Sequence, residues 1–324
     1  MRRILLLAPR LDVNFKHNPA IKSIPKEIGP VLPGKELWAN FREKLENEYK
    51  TRSNIELTIL ELALWQFNPK VLKDLDYDVV LVPHKEHHNF SIKDKEVYYY
   101  MQTTFPWIFS VDNKGWAAGA SVYPYSTLLN GFTDSTVFDL LKDRALTNQS
   151  KFTQPNYKEL NLPENFLLFA CQIPHDETIK FHSSIGVGKA LIYTCEATKD
   201  LGIPLVVKGH PINPTSMIGL KNSLINYKHV TWIDNASVHQ LISLSRGVVV
   251  VNSGVGMESL LHGKPVVTFG SAEYDCVTNH ATKDNIKDIL QNLIYDKSKV
   301  IDFFHAWYNW CYDTNNSDSF KKLP

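Results

Sequence analysis

The chain has little cysteine, no long apolar run and almost no net charge. Its 324 residues include four cysteines, Cys171, Cys195, Cys276 and Cys311, none of them in CxxC spacing. This excludes a disulfide framework or a cysteine-based zinc site and implies reduced thiols in a cytosolic protein. No apolar run approaches the ~20 residues that span a bilayer. The opening MRRILLLAPRLD imitates a signal peptide, but Ile4 to Ala8 is too short for a secretory core and no small-residue cleavage site follows. It reads as a first buried strand. The formal net charge is +1, so no global field favours nucleic acid or an anionic membrane, and no nucleic-acid partner is expected. No repeat of fixed period occurs. What is present is a globular balance, 44% hydrophobic and 21% charged, over enough chain for two domains of about 150 residues.

Both halves alternate apolar runs with helical patterns. RRILLLAP, YDVVLVPHK, KEVYYYMQ and PWIFSV read as strands. PGKELWANFREKLENEYK reads as a helix with Leu37, Phe41 and Leu45 at helical spacing, while IELTILEL fits helix or strand. A polar, irregular stretch near 126–163 reads as a linker. The pattern then restarts: NFLLFACQI, IPLVVKGHP, HVTWID, VVVVN and PVVTFG as strands, with helices between them. One of these helices, SSIGVGKALIYTCEATKDLG, has Ser183 or Ser184 as its cap and Gly202 at its end. Continuous Val/Leu runs between helices imply parallel strands buried on both faces. The expected organisation is an N-terminal α/β domain over 1–160, a second over 161–300, and a tail, 301–324, whose aromatic helix packs back toward the first. Two such halves imply a cleft, and ligands of open α/β sheets bind at the carboxyl ends of the strands.

Several strand ends carry polar groups. After VVVVN, Ser253 and Gly254 open a helix. The unpartnered N–H groups and dipole there suit a phosphate, and Gly254 and Gly256 permit close approach. Glu258, one turn on, suits the hydroxyls of a sugar. The plainer alternative makes Ser253 a helix cap and Glu258 a solvated first-turn acid. In KGHP, Lys208 and His210 end a strand; the histidine can bind phosphate or move a proton, or simply occupy a turn. Asp176 follows a strand and a proline turn, as a base or nucleophile, or as a loop acid or N-cap. Asp112 follows WIFSV. His84, His87 and His88 have the spacing of metal ligands on a helix, but their charged surroundings favour a solvated loop. No acidic pair of the type that holds a metal is evident, and no metal is expected.

The segments QIPHD (172–176), KGHP (208–211) and NSGVGMESLLHGKPVVTFG (252–270), followed by AEYD, resemble in order and spacing the bacterial capsule-polysaccharide and lipopolysaccharide β-Kdo glycosyltransferases. These enzymes use CMP-activated 3-deoxy-D-manno-oct-2-ulosonic acid (Kdo). The likeness covers about residues 165–282. In the first half VDNKGW departs from that family's acidic-acidic-Gly motif. The resemblance implies an α/β GT-B fold, two Rossmann-like domains with parallel sheets facing a central cleft, and metal-independent transfer without a cofactor. It implies CMP-Kdo as donor, CMP as product, and a saccharide or glycolipid acceptor. By the same resemblance the donor phosphate lies on Ser253 and Gly254, helped by Lys208 and His210, and Glu258 holds the ribose. Asp176 is the nucleophile of a retaining double displacement, and Asp112 is the acid/base candidate. The implied setting is cytoplasmic, with peripheral contact to membrane-bound machinery at the inner face. Three other readings share parts of the pattern: an inverting CMP-sialic acid transferase in which His210 stabilises departing CMP, a nucleotide-sugar 2-epimerase, and a non-catalytic glycan-binding subunit.

Overall fold

The computed structural model describes residues 1–10, 35–62, 72, 76–211 and 214–324. Tertiary contacts divide the chain into two units, Met1–Tyr123 with Trp307–Pro324, and Pro124–Ala306. The first division comes well before the expected residue 160. The reason lies in the polar stretch read as a linker, which is bonded to the second unit. Ser237 Oγ donates to Asn148 Oδ1, Val238 N–H donates to Gln154 Oε1 at 2.9 Å, and Gln240 Nε2 donates to Lys158 O at 2.6 Å.

The first unit is a six-stranded sheet: β1 (Arg2–Pro9), β2 (Ile55–Leu62), β3 (Val79–Pro83), β4 (Glu96–Gln102), β5 (Ile108–Asp112) and β12 (Tyr312–Asp313). The order is β12-β5-β4-β3-β1-β2. Strands β1 to β4 are parallel, and β5 and β12 join antiparallel. Alternate residues of β1 enter opposite cores, Ile4 and Leu6 on one face, Leu5 and Leu7 on the other. IELTILEL is thus a strand, because it pairs with β1 along all eight residues. Helix α1 (Lys35–Lys50) covers the Ile4 face with Trp38, Phe41, Leu45 and Tyr49. Its buried stripe starts at Trp38, not at Leu37, which is only partly buried.

The second unit repeats the layering with six parallel strands: β6 (Leu167–Ala170), β7 (Leu205–Lys208), β8 (Val230–Ile233), β9 (Gly247–Val250), β10 (Val266–Thr268) and β11 (Asn279–His280). The order β8-β7-β6-β9-β10-β11 is that of a dinucleotide-binding Rossmann sheet. The chain builds outward from β6 to β8 and then crosses to β9 on the other side of β6. The crevice at this reversal lies beyond the carboxyl ends of β6 and β9. Helices α2 (Thr136–Leu146), α3 (Glu177–His182), α4 (Val187–Leu201), α5 (Pro214–Ser223), α6 (Val238–Leu244), α7 (Gly254–Leu261) and α8 (Ile286–Gln291) complete the unit. Gly202 ends α4 in the left-handed region at φ +66°, as its position after the last apolar turn requires. Gly186, not Ser183 or Ser184, caps its start. Ser183 is already the C-cap of α3, a short helix the sequence does not announce.

The final helix, α9 (Lys297–Trp310), buries Val300, Phe303, Phe304 and Trp307, one stripe at i, i+3, i+4 and i+7. Phe304 meets Phe138 within the second unit, and Trp307 meets Phe105 within the first. No helix among the described residues is long and apolar enough to cross a membrane.

Candidate functional site

Gln172 and Asn252, two letters of the sequence motifs, build the floor of the crevice. Both are buried, Gln172 Nε2 donates to Asn252 Oδ1 at 3.0 Å, and Asn252 N–H donates to Gln172 Oε1 at 2.9 Å. Asn252 Nδ2 also donates to Thr178 O and Ser271 O. The pair ties the loops after β6, β9 and β10 to one another. Its role is architectural, and the spacing of the motif reflects that clasp.

Asp176 stands on the β6 side of the crevice. It caps α3, with Oδ1 accepting from Thr178 N–H at 2.9 Å and from Thr178 Oγ1 at 2.6 Å. Its other oxygen accepts no hydrogen bond among the described residues. One anchored oxygen fixes the orientation of the carboxylate. Gly270 is needed for this packing, since a Cβ there would lie 2.8 Å from Ser183 Cβ and 3.0 Å from His182 O.

Across the crevice, Ser253 caps α7 by accepting from Val255 N–H at 3.3 Å. Ser253 and Gly254 are part-exposed. The space beside Gly256 is filled, because a Cβ there would run into the Tyr274 hydroxyl and lie 2.6 Å from carbons of its ring. That hydroxyl donates to Ser253 O. Gly256 therefore admits the Tyr274 ring to the helix start, and the approach expected for a phosphate at this glycine is taken.

Glu258 is not a solvated acid. It is 3% exposed, and burial pushes its carboxyl up to about 7 against an opposing hydrogen bond from Ser150. His239 Nε2 lies 3.8 Å from Glu258 Oε1 and 3.0 Å from Gln149 O. A carbonyl only accepts, so His239 carries its proton on Nε2. Its bare Nδ1 then accepts from His262 Nε2 at 3.1 Å.

The KGHP residues separate in role. Lys208 is buried, and its ammonium donates to Gly209 O at 2.8 Å and Asp234 O at 2.9 Å. It locks the ends of β7 and β8 together. Part-buried His210 is pushed down to about 4 by burial, against the pull of Asp176, so the ring is neutral at neutral pH. A neutral imidazole offers a phosphate a hydrogen bond, not a charge.

In the first unit, Asp112 is buried and spent on its own loop. Oδ1 accepts the N–H groups of Lys114 at 2.8 Å, Gly115 at 3.2 Å and Ser121 at 2.8 Å, and Oδ2 accepts from Ser121 Oγ. The histidine trio lies in a turn, with His88 Nδ1 3.2 Å from Glu86, and no group of three His, Cys, Asp or Glu among the described residues is arranged to hold a metal.

One end of the second sheet thus brings together Asp176, His210, Ser253, Gly254 and Glu258. It also brings in Lys151, from the supposed linker, and Glu273, after β10. Lys151 senses the charges of Asp176 and Glu273, and burial pushes its ammonium down. Glu273 is 7% exposed and is pushed up to about 7 by burial, with Lys151 opposing. Glu273 is the glutamate of AEYD, whereas Lys151 has no sequence signature. Lys151 lies in a stretch with no periodicity, and only the docking of that stretch gives it a place.

A family model described as capsule polysaccharide biosynthesis protein matches residues 131–297. Protein FixF of Sinorhizobium fredii is 29% identical over 174 residues, 53% of this chain and 42% of that protein. This chain therefore spans less than half the length of that relative. The structure of Thermosulfurimonas dismutans KpsC, beta Kdo 2,7 transferase, is similar with a TM-score of 0.51 at 18% identity, covering 81% of this chain and 86% of that one. That of T. dismutans KpsC, beta Kdo 2,4 transferase, has a TM-score of 0.51 at 17% identity, covering 82% and 87%. At these identities the likeness is one of fold.

Proposed function

This chain belongs to the capsule polysaccharide biosynthesis protein family, and from that premise we propose that it is a glycosyltransferase moving Kdo from CMP-Kdo to a saccharide or glycolipid acceptor, with retention and without a metal. The observation that carries the proposal is Asp176. It stands at the sheet's reversal point with one oxygen anchored and the other open, in the same unit as an anion-suited helix start. Both KpsC structures are named as β-Kdo transferases, which supports the choice of sugar.

In the proposed reaction the open oxygen of Asp176 attacks the anomeric carbon of Kdo. The bond from that carbon to the phosphate oxygen breaks, and CMP leaves with the electron pair. Its charge is stabilised by the N–H groups at the α7 start, with His210 donating a hydrogen bond. Glu258 meets the ribose in this scheme. An acceptor hydroxyl, losing its proton to a base, then attacks the same carbon and releases the Asp176 carboxylate. Two inversions give retention. The four hydrogen bonds on Asp112 keep it out of this scheme as the base. Contact with the acceptor at the membrane is peripheral in this proposal.

Intact-mass spectrometry tests it. Wild-type protein given CMP-Kdo and no acceptor should gain one Kdo, and Asp176→Asn should gain none. A product of inverted configuration with no adduct would favour the sialyltransferase-like mechanism. Turnover of a UDP-sugar without acceptor would favour the epimerase.

A further inference from the structure

The segment 148–154 is strapped across the carboxyl ends of the second sheet at several points. Asn148 is held by Ser237 and by Pro155 O, Gln149 O accepts from His239, Ser150 acts on the Glu258 carboxyl, and Gln154 accepts from Val238 N–H. Phe152 sets its ring edge to His210 with centroids 5.5 Å apart. Lys151 lies between two residues that each touch a different site group. We propose that Lys151 is the cation of the donor site and binds an oxyanion of the donor, its phosphate or its sugar carboxylate. This inference rests on the donor reading above.

Three observations carry it. First, the Lys151 ammonium makes no hydrogen bond and no ion pair among the described residues, although it is part-buried and faces Asp176 and Glu273. The two carboxyl groups act on it from beyond ion-pair distance, and an oxyanion placed there would give it a direct partner. Second, Glu273 is more than nine-tenths buried and its carboxyl likewise makes no hydrogen bond among the described residues. Two groups of complementary charge that sense each other without a hydrogen bond between them, at one end of one sheet, match a bound polar ligand bridging them. Third, the two basic residues of KGHP supply no free charge: the Lys208 ammonium is committed to two backbone carbonyls, and His210 is neutral. Burial raises the Glu273 carboxyl to about 7, and in its protonated form it offers a donor beside the ammonium, a pairing suited to a carboxylate.

Calorimetric titration of the full chain tests this, in the Asp176→Asn background so that donor is not consumed. CMP, UDP and CMP-Kdo are compared across Lys151, Lys151→Gln and Lys151→Arg, with the melting temperature of each. Loss of the charge should weaken CMP-Kdo by about tenfold or more, and arginine should restore most of it, at an unchanged melting temperature. If CMP weakens equally, the phosphate is the partner; if CMP is unaffected, the sugar carboxylate is. Lys151→Gln binding CMP-Kdo as tightly as its parent overturns the proposal while leaving the donor reading intact. A parent that prefers UDP overturns the donor reading, and Lys151 is then judged by the same comparison on UDP. A parent that binds no nucleotide overturns both.

Discussion

At the scale of single residues, Asp176 has two jobs that one substitution separates. As a helix cap it stabilises α3, and as the proposed nucleophile it would be consumed and regenerated. Asn caps about as well as Asp, so Asp176→Asn should keep the melting temperature and lose transfer. Asp176→Ala should lose transfer and also about 1 kcal/mol of stability, read by denaturant unfolding. Glu258 yields a pH dependence. Its folded pKa, about 7, lies above the ordinary 4.5, so the buried acid favours the fold while protonated. That contribution is complete below about 4.5 and is lost as pH rises through about 7. Relative to Glu258→Gln, the wild type should therefore lose on the order of 2 kcal/mol between about pH 5 and about pH 8. The comparison between variants matters, because His210, His239 and His262, all pushed down to about 4, act in the opposite direction. Their contribution is complete above the ordinary 6.5 and is lost as pH falls toward 4. Equal pH profiles for wild type and Glu258→Gln would show that the carboxyl is not buried as described.

At the scale of elements, glycines distinguish tight helix packing from open surface. In α7, Gly256→Ala drives a methyl into the Tyr274 ring, 2.6 Å from its carbons. Tyr274 is 1% exposed and has nowhere to move. The substitution should cost about 1–3 kcal/mol and shift the start of α7, weakening nucleotide binding as well. In α5, Gly219 is exposed in mid-helix, and nothing lies within 4 Å of the point an alanine methyl would occupy. Gly219→Ala should stabilise by up to about 1 kcal/mol through helix propensity alone. Thermal unfolding of the two variants should move in opposite directions. These elements also show the limit of pattern reading. Four-residue strands such as LLFA and GVVV are plain in the sequence because every residue is buried. Helix α3, six residues long, is not, because one turn and a half carries no periodicity.

At the scale of the whole molecule, the segment 124–160 belongs to the second unit. It supplies the acceptor for His239 and the partner of Ser237, and its Ser150 acts on the Glu258 carboxyl. A chain of residues 124–306 should therefore fold and bind CMP by itself. A chain of 161–306, cut where the sequence places the domain boundary, leaves a fully buried histidine without its carbonyl and should be destabilised by about 1–3 kcal/mol or more. Circular dichroism melting and CMP titration of the two fragments measure this. Equal stability and equal affinity would mean that the strap is a passive linker.

The sequence by itself determined what depends on neighbouring residues and on burial of whole runs. Val/Leu runs alternating with helices specify two α/β units whose strands pair in parallel except where β5 of the first meets β4 and β12, and a polar residue after each run marks the end of the sheet that holds the candidate site. Asp176, His210, Ser253, Gly254 and Glu258 are legible in that way. The tertiary structure decided where charges end up, because desolvation and hydrogen bonding depend on residues distant in the chain. It turned the Lys208 ammonium onto the carbonyls of Gly209 and Asp234, and enclosed Glu258 beside His239. It also spent the Asp112 carboxylate on its own loop. The same docking carried Lys151 from an aperiodic stretch to a place facing Asp176 and Glu273, a position that no local pattern encodes.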